Sequence, residues 1–272
     1  MKICVDAGHY GKYNRSPANK AYYESDMNWK LHNLLKKYLE EYGVEVITTR
    51  EDKNVDMEVF ARGQASAGCD LLLSVHSNAV GSGVNEAIDY PVVYVPLNGT
   101  GDELGKKLAE CIEKTMGTQQ KGKCESKKGN RGDYYGVIRG ATAVGVPGLI
   151  LEHSFHTNNR IANWLLVDKN LDKLAKAEAE VIANHYGLEK ERNTVNIEIT
   201  VLKKGMKGEE VKALQALLTG YGYKFENNGK VYGIDGSFGG ATLNAVKKYQ
   251  ADNGLEVDGS VGRKTWSKLL GV

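Results

Sequence analysis

The sequence predicts an α/β domain, a mainly parallel twisted sheet flanked by helices, followed by a small all-α domain of three helices. Three observations carry this. From residue 2 to about 188, short apolar runs alternate with amphipathic stretches, the pattern of helices layered on a sheet. Leu72, Leu73 and Val75 form a run without alternation, as in a strand covered on both faces. Beyond about residue 203, helical spacing takes over and a short repeat appears.

In chain order, strands are predicted over residues 2–6, 44–48, 71–76, 87–95 and 148–152, and helices over 24–42, 56–67, 101–116 and 171–186. In the first helix Met27, Leu31, Leu34, Leu35 and Tyr38 recur at helical spacing, and Gly43 stands where a helix stops. Residues 117–135 are basic, contain glycine and show no periodicity, so they read as a surface loop flanking the site. Residues 189–202 are polar and then weakly strand-like, and are assigned as a linker between domains at 1–188 and 203–272. In the tail, Asp-Gly-Ser-x-Gly-x-x-Thr occurs at Asp235 and again at Asp258, each time opening a helix. A further helix over 209–219 carries Val211, Leu214, Leu217 and Leu218 on one face. Most of Tyr221, Tyr223, Tyr232 and Trp266 are expected in the core of this module.

Composition narrows the function classes. With 272 residues, 41% hydrophobic and 26% charged, the chain is an ordinary globular one. Its net charge of +2 gives no reason to expect nucleic acid or an anionic membrane as partner. No window approaches the roughly 18 apolar residues of a membrane span. The start, MKICVDAGHY, lacks the apolar core of a secretory leader, which favours synthesis in the cytoplasm. Cys4 and Cys69 read as small core residues. Cys111 and Cys124 read as free thiols, with a disulfide as the alternative in an oxidising compartment.

The chemistry is concentrated at strand ends. VDAGHY, LLLSVHSNA and GLILEH are apolar runs that finish in His9, His76 and Glu152, and Glu24 opens the first helix. In sheets of this type ligands gather at the carboxyl ends of the strands. A catalytic zinc site needs about three protein ligands and an open position. His9, Glu24 and His76 supply such a set, from three separate segments. Each has a plainer explanation alone: a polar strand cap, a favourable charge at a helix start, a first solvated residue. Their shared edge is what points to a metal.

VDAGHY, YYESDMNWKL, FARGQASAGCDLLLSVHSNA and GLILEHSFHTN, in that order, resemble the zinc-dependent N-acetylmuramoyl-L-alanine amidases of the type-3 family, over residues 2 to 186. The tail resembles the three-helix peptidoglycan-binding modules attached to wall hydrolases, through its DGSxG turns and VKALQALL helix. The resemblance implies zinc as cofactor, His9, Glu24 and His76 as its ligands, and Glu152 as the catalytic carboxylate. It implies bacterial peptidoglycan as partner and cleavage between muramic acid and L-alanine. Family members often carry Gly where Tyr10 stands and Gly-Phe in place of Ser154-Phe155, changes that bear on substrate fit.

Around this set, Asn78 is a candidate for orienting substrate, Asp6 for steadying His9, and His156 for a supporting role near Glu152. Arg62 is assigned a structural hydrogen bond or ion pair. His153 falls on the opposite strand face from Glu152 and is read as structural, as are His32 and His185. Two other readings stay open: a zinc peptidase that cuts within the stem peptide, and an inactive wall binder. A chain without a leader and with a wall-binding tail fits release through a holin-type pore. A secreted autolysin deprived of its leader fits nearly as well.

Overall fold

The computed structural model describes residues 1–81, 83–190 and 200–271. Contacts divide the chain into two units, Met1–Arg192 and Asn193–Val272. Most of the segment assigned as linker, residues 191–199, lies outside the described residues.

The first unit is built on a six-stranded sheet. Its strands are β1 (Lys2–Ala7), β2 (Glu45–Thr48), β3 (Leu71–Asn78), β4 (Val92–Tyr94), β5 (Lys123–Glu125) and, after a two-stranded hairpin of β6 (Lys128–Gly129) and β7 (Gly132–Asp133), β8 (Gly148–Phe155). The order across the sheet is β2-β1-β3-β8-β4-β5. β2, β1, β3 and β8 run parallel, and β4 pairs antiparallel to β8. The carboxyl ends of β1, β3 and β8 therefore lie side by side, which is what brings the candidate residues to one edge.

One face of the sheet is covered by α1 (Glu24–Glu40), α3 (Asp102–Met116), α5 (Asn159–Leu165) and α6 (Asp168–Tyr186). The other carries α2 (Val59–Gln64) and α4 (Gly136–Ala143). Ile3, Val5, Leu71 and Leu73 pack toward α1, while Cys4 and Leu72 pack toward α4, so each central strand is buried on both sides. α1 opens with Glu24 and Asp26, charges that suit the positive end of the helix dipole.

Several elements differ from expectation for identifiable reasons. α2 starts three residues late because the Glu58 carboxylate caps it, accepting from Phe60 N at 2.8 Å and Ala61 N at 3.0 Å. α4 was hidden by its small residues, which serve the α2–α4 approach. A Cβ on Gly63 would lie 2.1 Å from Val137 O, and one on Gly140 would lie 2.0 Å from Phe60 O. The strand expected over 87–95 shrinks to three residues, since Asp89 is fully buried in polar contacts and Pro91 lacks an N–H. The basic stretch over 117–135, expected as loop alone, contributes edge strand β5 and the β6–β7 hairpin. All four cysteines are free: Cys4 and Cys69 are buried, Cys111 and Cys124 half-buried.

The second unit contains α7 (Glu209–Gly220), β9 (Phe225–Asn227), β10 (Lys230–Tyr232), α8 (Gly240–Asp252) and α9 (Arg263–Leu270). The three helices match expectation, and the β9–β10 hairpin is an addition to the all-α reading. Its turn residues Asn228 and Gly229 have φ of 50° and 74°, the conformation of a two-residue hairpin turn. The sequence repeat is a structural repeat. Gln215 Nε2 donates to Asp235 Oδ1 and Thr242 Oγ1, and its Oε1 accepts from Gly236 N. Gln250 makes the same bonds to Asp258, Thr265 and Gly259. Each Asp-Gly-Ser turn is thus clamped by a glutamine from the helix before it. Trp266 belongs to the core, whereas Tyr221 and Tyr232 are exposed. No described helix is long and apolar enough to cross a membrane.

Candidate metal centre

His9 follows β1 through Gly8, and its backbone takes a φ of 60° that turns the imidazole over the sheet edge. His76 sits near the end of β3, opposite Glu152 of β8. Glu24 reaches the same place from the first turn of α1. Its Oε2 lies 3.2 Å from His9 Nε2 and its Oε1 lies 3.0 Å from His76 Nδ1. One donor atom from each of His9, Glu24 and His76 falls within 4.8 Å of the others. The two imidazoles meet edge to face, at 5.1 Å between centroids.

The Glu24 carboxylate is aimed by its surroundings. Ser77 N donates to Oε1 at 3.0 Å and Asn14 Nδ2 to Oε2. Burial alone would push its carboxyl up, but hydrogen bonds from His76 and His9 outweigh burial and hold it well below the usual range. The approach of β1 to β3 also requires Gly8: a Cβ there would stand 2.2 Å from His76 Cε1 and 2.3 Å from Nε2. Gly8 O accepts from Asn28 Nδ2 at 3.1 Å. Two imidazoles and one carboxylate, held in this way, fit a zinc ion with a coordination position left open.

Glu152 lies beside this set without belonging to it. Its Oε2 is buried and has no hydrogen-bond partner. Burial, and then the charge of Glu24, push its carboxyl well above the usual range. Tyr94 and Tyr135 pair with their rings 4.6 Å apart, and burial raises both phenols, with a smaller push from the charge of Glu152. His9 stacks on Tyr13 at 4.7 Å.

After the His76–Glu152 pair the register slips, so that Asn78 faces Phe155. The extra residue is accommodated by Ser154 at a φ of 58°, a bulge that ends the ladder at the site. His153 points to the far face as strand alternation requires, and its two nitrogens contact His76 O and Glu178 Oε1 at 2.8 and 2.7 Å. His156 is buried, with Nδ1 2.9 Å from Ser77 Oγ, and it stacks on Tyr22. It therefore supports the strand that carries His76.

One expectation changes. Asp6 does not steady His9: its carboxylate accepts from Thr49 Oγ1 at 2.5 Å and Ser74 Oγ at 2.7 Å, and faces Arg62 Nη1 at 3.7 Å. The odd spacing of three residues would already point the two side chains to opposite faces of a strand, and β1 ends at Ala7, before His9. Asn78 Oδ1 accepts from Ala79 N and its carbonyl from His156 N, bonds that leave its side-chain Nδ2 unengaged among the described residues. Arg62 is structural as expected. It and Arg50, which the sequence did not single out, both donate to Ala7 O, the carbonyl just before Gly8. Asn14, Asn28 and Glu178 were also missed, because nothing local distinguishes such residues from surface polar ones.

Residues 3–184 match the family described as N-acetylmuramoyl-L-alanine amidase, and residues 207–269 match a peptidoglycan binding domain. The N-acetylmuramoyl-L-alanine amidase CwlL of Bacillus licheniformis is 41% identical over 73 residues, 27% of this chain. The chain spans about a fifth, 19%, of that relative's length. An endolysin of Bacillus phage SPP1 is 30% identical over 191 residues, covering 69% of this chain and 67% of the relative. The fold is shared with the catalytic domain of CwlV, an N-acetylmuramoyl-L-alanine amidase from Bacillus (Paenibacillus) polymyxa var. colistinus. That match has a TM-score of 0.59 at 20% identity, over 69% of this chain and 99% of the other.

Proposed function

The chain belongs to the N-acetylmuramoyl-L-alanine amidase family, and from that premise we propose that it hydrolyses the amide joining muramic acid to the L-alanine of the peptidoglycan stem. The observation that carries the proposal is the convergence of His9, Glu24 and His76 on one point, with the unpartnered Glu152 oxygen beside it.

In this reading His9, Glu24 and His76 hold zinc. When bound, zinc supplies Lewis-acid polarisation of the carbonyl and brings the pKa of water toward roughly 7. Glu152 Oε2 takes the proton from the attacking water and returns it to the departing alanine nitrogen. A carboxylate whose pKa is raised by burial is the stronger proton acceptor once ionised, and an Oε2 that no neighbour engages is free to accept a proton and release it. Ser77 N and Asn14 keep Glu24 oriented, while Arg50 and Arg62 keep the turn into His9 fixed through Ala7 O.

The C-terminal module holds the enzyme on an insoluble polymer, which raises its local concentration at the bond to be cut. The place of action is the bacterial wall.

The test is amine release from purified peptidoglycan, with products identified by mass and zinc measured in wild type and Glu152→Gln. Free N-terminal alanine from wild type alone, with zinc in both, is the expected result. New amines from within the stem peptide would make the enzyme a peptidase. Loss of zinc in Glu152→Gln, with activity per bound zinc intact, would remove Glu152 from the proton-transfer role.

A further inference from the structure

The charge of the chain is unevenly placed. Residues 201–272 carry eleven Lys and Arg against seven Asp and Glu, while residues 1–200 carry 25 against 27. Within the second unit a groove of about 810 Å³ is lined by Arg263, Lys264 and Lys268 of α9, together with Tyr221 and Tyr249. Arg263 and Lys264 lie in the first turn of α9, where the helix dipole disfavours cations. None of the three cations has an ion-pair or hydrogen-bond partner among the described residues. The placement of Arg263 and Lys264 costs helix stability with no internal contact to offset it, while Lys268 lies in the last turn, where the dipole favours a cation.

The internal repeat shows that this is a local addition. The Gln215 and Gln250 clamps build the same turn twice, and the helices that follow are equivalent position by position. Where α9 has Arg263, Lys264 and Lys268, α8 has Gly240, Ala241 and Ala245. The difference follows what covers each helix. Hairpin strand β9 lies on α8: Asn244 Nδ2 donates to Glu226 O at 3.1 Å, and a Cβ on Gly240 would meet Asn227 Nδ2 at 2.8 Å. The equivalent face of α9, with Arg263 in the place of Gly240 and Ser267 in that of Asn244, lines the groove instead. The fold thus repeats a helix face that accepts an extended chain, covers one copy itself, and gives the other three cations.

We propose that this groove is the ligand site of the C-terminal module, and that it takes an extended, carboxylate-bearing peptide of the wall polymer, laid over α9 as β9 is laid over α8. The inference rests on the wall-directed reading of the module and adds to it the site and the charge of the ligand.

The experiment measures binding of the full chain to sacculi stripped of anionic secondary polymers, as a function of salt. Three proteins are compared: wild type, Arg263→Gln/Lys264→Gln/Lys268→Gln, and Lys203→Gln/Lys204→Gln/Lys207→Gln, which removes the same charge from another exposed part of the module. The groove variant is expected to bind roughly tenfold more weakly with a flattened salt dependence, the control to stay near wild type. Amidating the carboxylates of the sacculi should bring wild type down to the level of the groove variant. Equal losses in both variants would reduce the effect to net charge and overturn the proposal. So would binding that is insensitive to amidation, or that appears only on walls retaining phosphate polymers. Failure of wild type to bind any wall preparation would sink the wall-directed reading itself.

Discussion

His153 and Glu178 form a fully buried pair that ties the catalytic strand to the helix behind it: Nε2 meets Glu178 Oε1 at 2.7 Å, and Nδ1 meets His76 O at 2.8 Å. Both ring nitrogens face acceptors, an arrangement that favours the imidazolium form, in which both donate, beside the Glu178 carboxylate. Burial alone would lower its pKa, but Glu178 raises it above the usual value. Removing one partner strands a buried charge, at a cost of about 3–5 kcal/mol, whereas removing both does not. Glu178→Leu should therefore be severely destabilised and His153→Leu/Glu178→Leu should regain most of the loss. Urea denaturation of the metal-stripped proteins in a double-mutant cycle measures this. A double variant as weak as the sum of the singles would show that the pair is not coupled in this way.

Gly8 is the point at which β1 can approach His76, since an added Cβ would contact three atoms of the imidazole within 2.6 Å. In Gly8→Ala the ring has to swing aside while the strands, paired below it, remain. The expected outcome is a loss of zinc affinity of roughly 10–100-fold with an unchanged circular dichroism spectrum, the size seen when a ligand's orientation is disturbed. Zinc competition against a chelator reads the effect, and wild-type affinity would show that the ring is not held by this contact.

Ser154 carries two opposed contributions. Its φ of 58° costs a non-glycine residue about 1–2 kcal/mol, while its hydroxyl donates to the buried Asp89 Oδ1 at 2.9 Å. Ser154→Ala keeps the strain and removes the donor, which should destabilise the fold by about 1–3 kcal/mol. Ser154→Gly removes donor and strain together, so its stability should fall between alanine and wild type. Denaturation midpoints at constant m-value give the order, and alanine above glycine would mean that the bulge stores no strain.

The site was legible because strand ends announce themselves: His9, His76 and Glu152 each close an apolar run, and three neighbouring parallel strands bring those ends together. Alternation along β8 also separated Glu152 from His153. What failed was inference from closeness along the chain. Asp6 looks close to His9 along the chain, yet its carboxylate faces Thr49, Ser74 and Arg62, because an odd spacing along a strand points side chains to opposite faces. Short elements were lost where composition served packing: α4 is small so that α2 can approach, and the β9–β10 hairpin is two three-residue strands around Asn228-Gly229. Glu178 reads from sequence as one more polar residue of an amphipathic helix. Its partner is 25 residues away and only the fold brings it there.

His32 makes the fold sensitive to acid. It is buried on α1, its Nδ1 lies 2.6 Å from Trp29 O, and its ring packs against Trp29 at 4.5 Å. Burial, with a further push from Arg50, lowers its pKa from 6.5 to about 4, against the pull of Trp29 O and Asp6. Between these values the unfolded chain binds the proton more readily than the folded one. The His32 contribution is therefore intact above pH 6.5, is lost progressively as the pH falls toward 4, and changes no further below that. A depression of this size corresponds to about 3 kcal/mol across the window. His32→Gln removes the titrating ring, so its stability should fall less steeply than wild type between pH 6.5 and 4, whatever its stability at neutral pH. Urea midpoints at half-unit pH steps give the two slopes. Parallel curves would mean that His32 is protonated in the folded state at no greater cost than in the unfolded chain, and that acid sensitivity in this range arises elsewhere.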